Sequence, residues 1–201
     1  IAIKVALIVS LATNAFRLTW APKAVGYFSQ PGSEPKFVLA LEYYLLASTL
    51  AVVGVVSFSP LIVRVLAPEA FSGAIAYVGL LTVIQMWNGS FNILAAGNNW
   101  ARKTYYNSFG TIVAGLVTTL VLYFGIENGG LLVASIALLL GSIVKSLLTL
   151  FVAQKSHYIP YALKPLMFCL VISVLYGFAG YIFYEHVGVS AWIYSMLLFV
   201  L

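Results

Sequence analysis

Long apolar runs alternate with short polar connections along the whole chain. The runs lie near residues 2–28, 38–63, 71–97, 105–124, 129–153 and 164–184, and another begins near residue 190. A helix needs about 20 mainly apolar residues to cross ~30 Å of hydrocarbon. The runs are too continuously apolar for the alternating strands of a membrane barrel. The pattern therefore predicts an all-α fold, a polytopic transmembrane helix bundle with six full spans and a truncated seventh.

The connections between the runs are short and rich in turn-forming residues. They read SQPGSEPK, VLAPEA, NNWARK, IENGG, QKSHYIPYALK and EHVGVS, and none is long enough for a soluble catalytic domain. Composition agrees with this organisation, because 63% of the residues are hydrophobic and only 7% are charged. Soluble domains have about a quarter charged residues. The sequence therefore predicts an integral membrane protein.

Basic residues are concentrated in alternate connections. Ten Lys and Arg residues against five Glu and no Asp give a net charge of +5. Six of the basic residues lie in the connections near 23–36, 102–103 and 155–164, whereas the opposite connections hold only Arg64. The positive-inside rule then places the three basic connections in the cytoplasm, with the first helix running inward. The positive charge is thus interpreted as membrane topology, and no nucleic-acid partner is expected.

Three of the predicted helices carry polar stripes, which lipid would disfavour. The stripes consist of Ser10, Thr13, Asn14 and Arg17 on the first helix, of Tyr77, Gln85, Asn88 and Asn92 on the third, and of Ser135, Ser142, Lys145, Ser146 and Thr149 on the fifth. Two interpretations stay open for these side chains. They either line a water-filled cavity or form hydrogen bonds between packed helices, at about 0.6 kcal/mol per bond.

Arg17 and Lys145 are the two cations of the polar stripes, away from the ends of the predicted spans. A cation at membrane depth costs at least ~2.5 kcal/mol, so it either extends to the headgroups or faces a cavity or a partner. Glu42, at the start of the second helix, is the one candidate anion that would neutralise them. If both cations face a cavity, its net positive charge suits an anionic substrate such as a diphosphate.

The sequence contains little that indicates catalysis. His157 and His186 lie in connections on opposite predicted sides, so they are not expected to share a metal, and Cys169 has no nearby base. No nucleotide-binding motif and no zinc-ligand spacing occurs. The prediction is therefore a protein that is not an enzyme, with no catalytic residue, metal or cofactor.

Three segments resemble polysaccharide flippases of the Wzx type, which belong to the multidrug/oligosaccharidyl-lipid/polysaccharide exporter superfamily. The first hairpin matches the opening of their C-terminal half with an apolar helix, a Pro beside an aromatic residue and a tyrosine pair, at Phe16, Trp20, Pro22, Tyr43 and Tyr44. The next hairpin, ending with Lys103 and Thr104, and the loop at Ile159, Pro160 and Tyr161 match further segments in the same order.

The resemblance implies a two-lobe exporter of which residues 1–201 form most of the C-terminal transmembrane lobe, without the N-terminal lobe. Such proteins lie in the plasma (inner) membrane. They move a lipid-diphosphate-linked oligosaccharide, used for lipopolysaccharide and other surface polysaccharides, to the outer leaflet by alternating access. The expected partners are this lipid-linked oligosaccharide, membrane lipids and the missing lobe.

Roles for individual residues follow as hypotheses. Arg17 and Lys145 would hold the diphosphate, while Asn14, Gln85, Asn88 and Asn92 would line the path of the sugar. Trp20 lies at the predicted cytoplasmic gate, where Pro22 would locally interrupt the helix hydrogen bonds.

Three alternatives remain. A multidrug or other lipid exporter of the same superfamily would favour an essential carboxylate, but the aspartate-bearing start of the lobe is absent here. A polytopic membrane enzyme of polysaccharide assembly would need larger external loops. An assembly subunit without a transport path would direct its polar stripes at other helices.

Overall fold

The structure, a computed structural model, describes residues 2–66 and 68–200, and their side chains except those of residues 66, 69–71, 183 and 185–200. The side chain of His186 therefore lies outside the described residues. The described chain is mostly helical and contains no strand. The elements are α1 (Ala2–Phe28), α2 (Glu34–Leu66), a 3₁₀ helix (Glu69–Ala74), α3 (Ile75–Leu94), α4 (Ala96–Trp100), α5 (Tyr105–Ser156) and α6 (Leu163–Val200).

The all-α class and the membrane character are confirmed at the level of helix length and composition. Five segments within the described residues are long and apolar enough to cross a membrane: Ala2–Phe28, Glu34–Val65, Ser72–Trp100, Tyr105–Ser156 and Leu163–Ile182. The predicted count of six full spans and a truncated seventh is not confirmed. The difference arises in α5 and α6, where apolar length alone does not show where the chain turns.

Helix α5 is folded back on itself at Gly130. This residue has φ 49° and ψ −130°, a backbone conformation that an L-residue with a side chain rarely adopts. The two arms, residues 105–129 and 131–156, pack against each other in antiparallel order. Thr118 Oγ1 of the first arm lies 3.3 Å from the Ala137 carbonyl oxygen of the second, and an added Cβ at Gly110 would lie 3.1 Å from Thr149 Oγ1. The turn thus lies at Gly130, the last residue of the predicted connection IENGG.

Helix α6 continues through the segment EHVGVS, where a loop was predicted. It is a single helix of 38 residues, which corresponds to about 57 Å at ~1.5 Å per residue. The segment contains no proline, and an isolated glycine lowers helix stability by only ~1 kcal/mol without ending the helix. The turn residues used for that prediction were therefore too weak a signal.

Helix α3 forms the centre of the bundle. Within its most apolar stretch 67% of the residues are buried, compared with 22% to 33% for the other four candidate spans. It packs against α1, α2, α5 and α6. Its side chains Leu80, Met86 and Trp87 are completely buried, and the backbones of Gly79 and Gly177 bring α3 and α6 into close contact. The third predicted run is interrupted by a turn at Ala95, between α3 and α4.

The three basic connections meet at one end of the bundle, which we call the basic end. The Phe28 ring lies 5.5 Å from the Trp100 ring, and Trp100 stacks on His157 at 4.2 Å. His157 Nε2 lies 3.3 Å from Glu34 Oε1 at the start of α2. These contacts join the connections after α1, α4 and α5. The structure thus groups on one side the loops that the charge pattern assigns to the cytoplasm.

Candidate functional site: a polar cleft

A cavity of about 200 Å³ lies between α1 and the junction of α3 and α4. Its polar lining includes Arg17 from α1, Asn92 from α3 and Asn99 from α4, and Trp20 forms part of its apolar wall. The structure therefore brings together three residues that the sequence analysis proposed, namely Arg17, Trp20 and Asn92. It adds Asn99, which sequence reasoning had assigned only to a connection.

The floor of this region is the polar face of α3. Gln85, Asn88 and Asn92 follow one another at intervals of three and four residues, so they lie on one face of the helix. Asn88 is exposed, while Gln85 and Asn92 are half-buried. Asn92 Nδ2 donates to the Gly89 carbonyl oxygen at 3.2 Å, which leaves its amide oxygen available as an acceptor.

The neighbours of α3 show which helices flank this face. A Cβ added at Gly89 would meet Tyr44 of α2 and Thr13 of α1, so this side of α3 faces α1 and α2. On the other side, Lys145 of α5 lies over the ring of Phe91. At about 100° per residue, the face that carries the amides lies between these two sides. We define the polar cleft as this α3 face with the adjacent flanks of α1 and of the second arm of α5.

Helix α1 forms one wall of the polar cleft. Thr13 lies next to Gly89, and Phe28, later in α1, contacts Trp100, later in the α3–α4 segment. The two segments therefore run in the same direction. Arg17 consequently lies near the level of Asn92, and Asn14 lies about one turn deeper. Asn14 and Arg17 are both exposed, and Arg17 makes no ion pair with any described residue.

The second arm of α5 forms the other wall, where Lys145 is half-buried. Its Nζ atom lies 4.0 Å from the centre of the Phe91 ring, within the range of a cation–π contact. The next residue, Ser146, donates a hydrogen bond to the Trp87 carbonyl oxygen at 3.3 Å, which fixes the arm against α3. Two cations thus flank the amide floor from opposite helices.

The rest of the stripe predicted on the fifth helix does not face the polar cleft. Ser135, Ser142, Ser146 and Thr149 are all buried. The hydroxyl groups of Ser135 and Ser142 donate to carbonyl oxygens of their own helix at 3.0 and 2.8 Å. Of the two interpretations of the stripe, Ser146 fits the second, because it donates a hydrogen bond to α3, while Ser135 and Ser142 bond only within their own helix. Only Lys145 of this stripe contributes to the polar cleft.

Two further expectations differ from the structure. Glu42 is an exposed residue of α2 that does not line the cavity, and no described cation pairs with it. It therefore does not neutralise Arg17 or Lys145. Tyr77 lies at the other end of the α3 stripe, about two helical turns from Gln85. Its ring packs against the ring of Tyr181 of α6, with 5.7 Å between the ring centres. Helical periodicity gives the face of a residue but does not identify the neighbouring helix.

The two residues assigned to a gate differ in their surroundings. Trp20 packs edge-on against the buried Phe37 ring at 5.4 Å and lies 6.1 Å from Tyr27. Pro22 is exposed, and α1 continues through it to Phe28. Because proline has no N–H group, the helix lacks one hydrogen bond there, but it is not interrupted. A gating role for either residue stays a prediction.

Sequence reasoning missed a set of polar contacts at the basic end. Tyr161 donates from its hydroxyl to the Ile93 carbonyl oxygen at 2.9 Å, next to the turn between α3 and α4. Burial raises the pKa of the Tyr161 phenol. Asn98 donates to Asn107 at 2.8 Å, and Asn107 donates to Asn99 at 3.1 Å. The adjacent amides in NNWARK were the available signal, and their partner Asn107 lies only nine and eight residues further along the chain.

No family model, no curated protein and no solved structure matches the chain. The resemblance to Wzx-type flippases therefore stays a prediction based on the quoted segments. The function is proposed below from the geometry of the polar cleft.

Proposed function

We propose that the chain is a lobe of an exporter that moves a lipid-diphosphate-linked oligosaccharide across the plasma membrane by alternating access. The observation that carries this proposal is a cavity lined by Arg17, Asn92 and Asn99 between helices long enough to span a membrane, with Lys145 over the ring of Phe91 on the other side of the α3 amide face. The reaction is translocation, and no covalent bond is formed or broken. The N-terminal lobe of the same exporter would close the cleft.

The charges of the polar cleft favour an anionic substrate. Arg17 and Lys145 approach from opposite walls, and no carboxylate among the described residues pairs with either. Unpaired cations at membrane depth are costly, so a diphosphate that binds between them would recover several charge-assisted hydrogen bonds. Guanidinium binds two phosphate oxygens at once, whereas ammonium acts as a point charge.

The amides on the floor suit a sugar. Gln85, Asn88 and Asn92 present donors and acceptors in a row along α3, and Asn14 of α1 lies beside them. Hydroxyl groups of a glycan both donate and accept, so neutral amides hold them without a fixed charge pattern. Weak and repeated hydrogen bonds are compatible with release at the other side of the membrane.

The membrane arrangement forms part of the same proposal. We infer that α1, α2, the α3–α4 segment, each arm of α5 and the first half of α6 cross the membrane, which makes six spans. The basic end would lie in the cytoplasm, as the charge bias predicts. A seventh span beginning near residue 190 stays a prediction.

The test removes the two cations of the polar cleft in the intact protein. Loss of a hydrogen bond to a charged group costs about 1.5–3 kcal/mol, and ~1.4 kcal/mol corresponds to a tenfold change. Arg17→Gln and Lys145→Gln should therefore each reduce surface polysaccharide about tenfold in cells at matched expression. Arg17→Lys should retain more activity than Arg17→Gln.

A matched control is Lys155→Gln. Lys155 also lies in the second arm of α5 and places its Nζ atom 4.3 Å from an aromatic ring, that of Phe151, but it is exposed outside the polar cleft. It should leave surface polysaccharide unchanged. Normal polysaccharide in the Arg17→Gln/Lys145→Gln double variant would refute the proposal. A loss of drug resistance without a loss of polysaccharide would instead favour the multidrug exporter.

A further inference from the structure

An apolar groove follows the seam between α1 and α2, on the side of α1 away from the polar cleft. It consists of two adjoining cavities of about 250 and 490 Å³, which share the lining residues Val9, Ala12 and Ala51. Small side chains leave this gap, and a Cβ added at Gly54 would meet no atom within 4 Å. We call this feature the α1–α2 groove.

The α1–α2 groove presents carbon atoms almost exclusively. Three of its four hydroxyl groups, all but that of Tyr43, donate to backbone carbonyl oxygens. Thr13 Oγ1 donates to Ser10 at 2.9 Å, Ser48 Oγ to Leu45 at 3.2 Å and Tyr44 Oη to Met86 at 2.8 Å. The groove lies within the two candidate spans that its helices form. An apolar chain is therefore the ligand that suits it.

The length of the α1–α2 groove exceeds one leaflet. Its lining residues on α2 extend from Tyr43 to Ile62, and at ~1.5 Å per residue this distance is about 28 Å. The hydrocarbon core is ~30 Å thick, so the acyl chain of a lipid in one leaflet reaches only about 15 Å. The groove thus fits a hydrocarbon chain that is much longer than a phospholipid acyl chain.

Two cations lie beyond the end of the α1–α2 groove that is nearer the basic end. Lys23 follows Phe16 by seven residues on α1, and Lys36 precedes Tyr43 by seven residues on α2. A separation of seven residues returns to the same helix face, about 10 Å further along the axis. Both lysines are exposed, and Lys36 lies over the Tyr27 ring at 4.2 Å. The geometry therefore provides cationic groups next to an extended apolar channel.

We propose that the α1–α2 groove binds the chain of a long polyisoprenoid diphosphate, with its diphosphate at Lys23 and Lys36. This inference rests on the proposed function, because it assigns a loading site to the lipid carrier of the substrate. The chain lies along one flank of α1, and the polar cleft for the sugar lies along the other. Each basic residue near a membrane surface strengthens the binding of an anionic lipid severalfold.

The experiment measures binding in the intact protein, purified in phosphatidylcholine nanodiscs, with a photoactivatable undecaprenyl diphosphate as the probe. Gly54→Leu and Ala51→Leu place a branched side chain in the groove and should each reduce labelling at least tenfold. The control Gly115→Leu changes a glycine of α5 that also has no atom within 4 Å of an added Cβ. It should label as the wild type does.

The charge requirement and the chain length are tested separately. Lys23→Gln/Lys36→Gln should reduce labelling about tenfold or more at low salt, and high salt should reduce wild-type labelling similarly. Phosphatidylglycerol with ordinary acyl chains should compete at least tenfold less well than unlabelled undecaprenyl diphosphate. Equal competition would overturn the assignment to a long chain, and an unchanged double-lysine variant would overturn the head-group site.

Three other outcomes discriminate further. Normal labelling of both groove-filling variants would overturn the site, as would cross-linking of a photoreactive residue at position 51 to another part of the protein instead of to lipid. Because labelling does not require translocation, it is independent of the polysaccharide assay. Groove-dependent labelling together with unaffected flipping by the Arg17 and Lys145 variants would refute the proposed function and retain the lipid site.

Discussion

The replacement of Gly89 by alanine tests the packing beneath the polar cleft. Gly89 lies where α1, α2 and α3 meet, and an added Cβ would overlap Tyr44 Oη, with Tyr44 Cζ at 2.9 Å and Thr13 Cβ at 3.0 Å. Tyr44 is fixed by its hydroxyl, which donates to the Met86 carbonyl oxygen at 2.8 Å. The alanine must therefore displace the tyrosine, the wall formed by α1, or both.

The expected cost follows from two contributions. Overpacking costs about 1–3 kcal/mol, and loss of the hydrogen bond of Tyr44 costs about 0.6 kcal/mol within a membrane bundle. We expect Gly89→Ala to lower the free energy of unfolding by about 2 kcal/mol and Tyr44→Phe to lower it by about 0.6 kcal/mol. The double variant should lower the free energy of unfolding by at least ~0.5 kcal/mol less than the sum of the two single variants. The reason is that phenylalanine lacks the oxygen that the new methyl group would overlap.

The assay is a double-mutant cycle of unfolding free energies, measured by denaturant titration in mixed micelles. Gly115→Ala is the control, since a Cβ there would meet nothing within 4 Å, and it should cost nothing measurable. Strictly additive costs for Gly89→Ala and Tyr44→Phe would refute the reasoning. A neutral Gly89→Ala variant would show that the three helices do not meet as closely as described.

Three further changes test other parts of the bundle by the same unfolding assay. Gly130→Ala places a side chain at φ 49° and ψ −130° and should cost about 1–3 kcal/mol, whereas Gly115→Ala should be neutral. Gly97→Ala would bring a Cβ against the Ala153 carbonyl oxygen, so a cost of about 1–3 kcal/mol is expected, and a neutral result would contradict the contact. Because burial raises the pKa of Tyr161, its contribution to stability is complete below pH ~10 and decreases as the pH rises further. When the pH is raised from ~10 to 11, the unfolding free energy of the Tyr161→Phe variant should therefore fall less than that of the wild type, and equal falls would contradict this.

The membrane helices were largely predictable because apolar length is a local property. The bounds predicted for α1 agree with the structure, and α2 extends the predicted run by a few residues at each end. One break was missed for a tertiary reason, and one predicted break is absent from the described chain. The turn at Ala95 contains no glycine or proline and depends on contacts such as that of Tyr161 with Ile93. The continuation of α6 through its predicted loop shows the reverse case, where turn-type residues remain helical.

The polar cleft was predictable only in part. Helical spacing placed Gln85, Asn88 and Asn92 on one face, and the structure keeps them there. The same spacing also grouped Lys145 with hydroxyl residues that are buried against other helices. Periodicity does not say which face meets a neighbour, because this depends on the folding of α5 at Gly130. Asn99 escaped notice since the short helix that carries it was taken for a connection.

Helix α1 is the element that joins the two proposed sites. The flank with Asn14 and Arg17 faces the polar cleft, and the flank with Ala12 and Phe16 faces the α1–α2 groove. On our proposals, one helix thus separates the sugar from the hydrocarbon chain of the same substrate while the diphosphate passes near its basic end. Only 22% of the most apolar stretch of α1 is buried. A helix with so few buried residues has little packing to lose when it shifts, so we expect α1 to move readily during transport, as we do the span Leu163–Ile182 of α6, which is buried to the same extent.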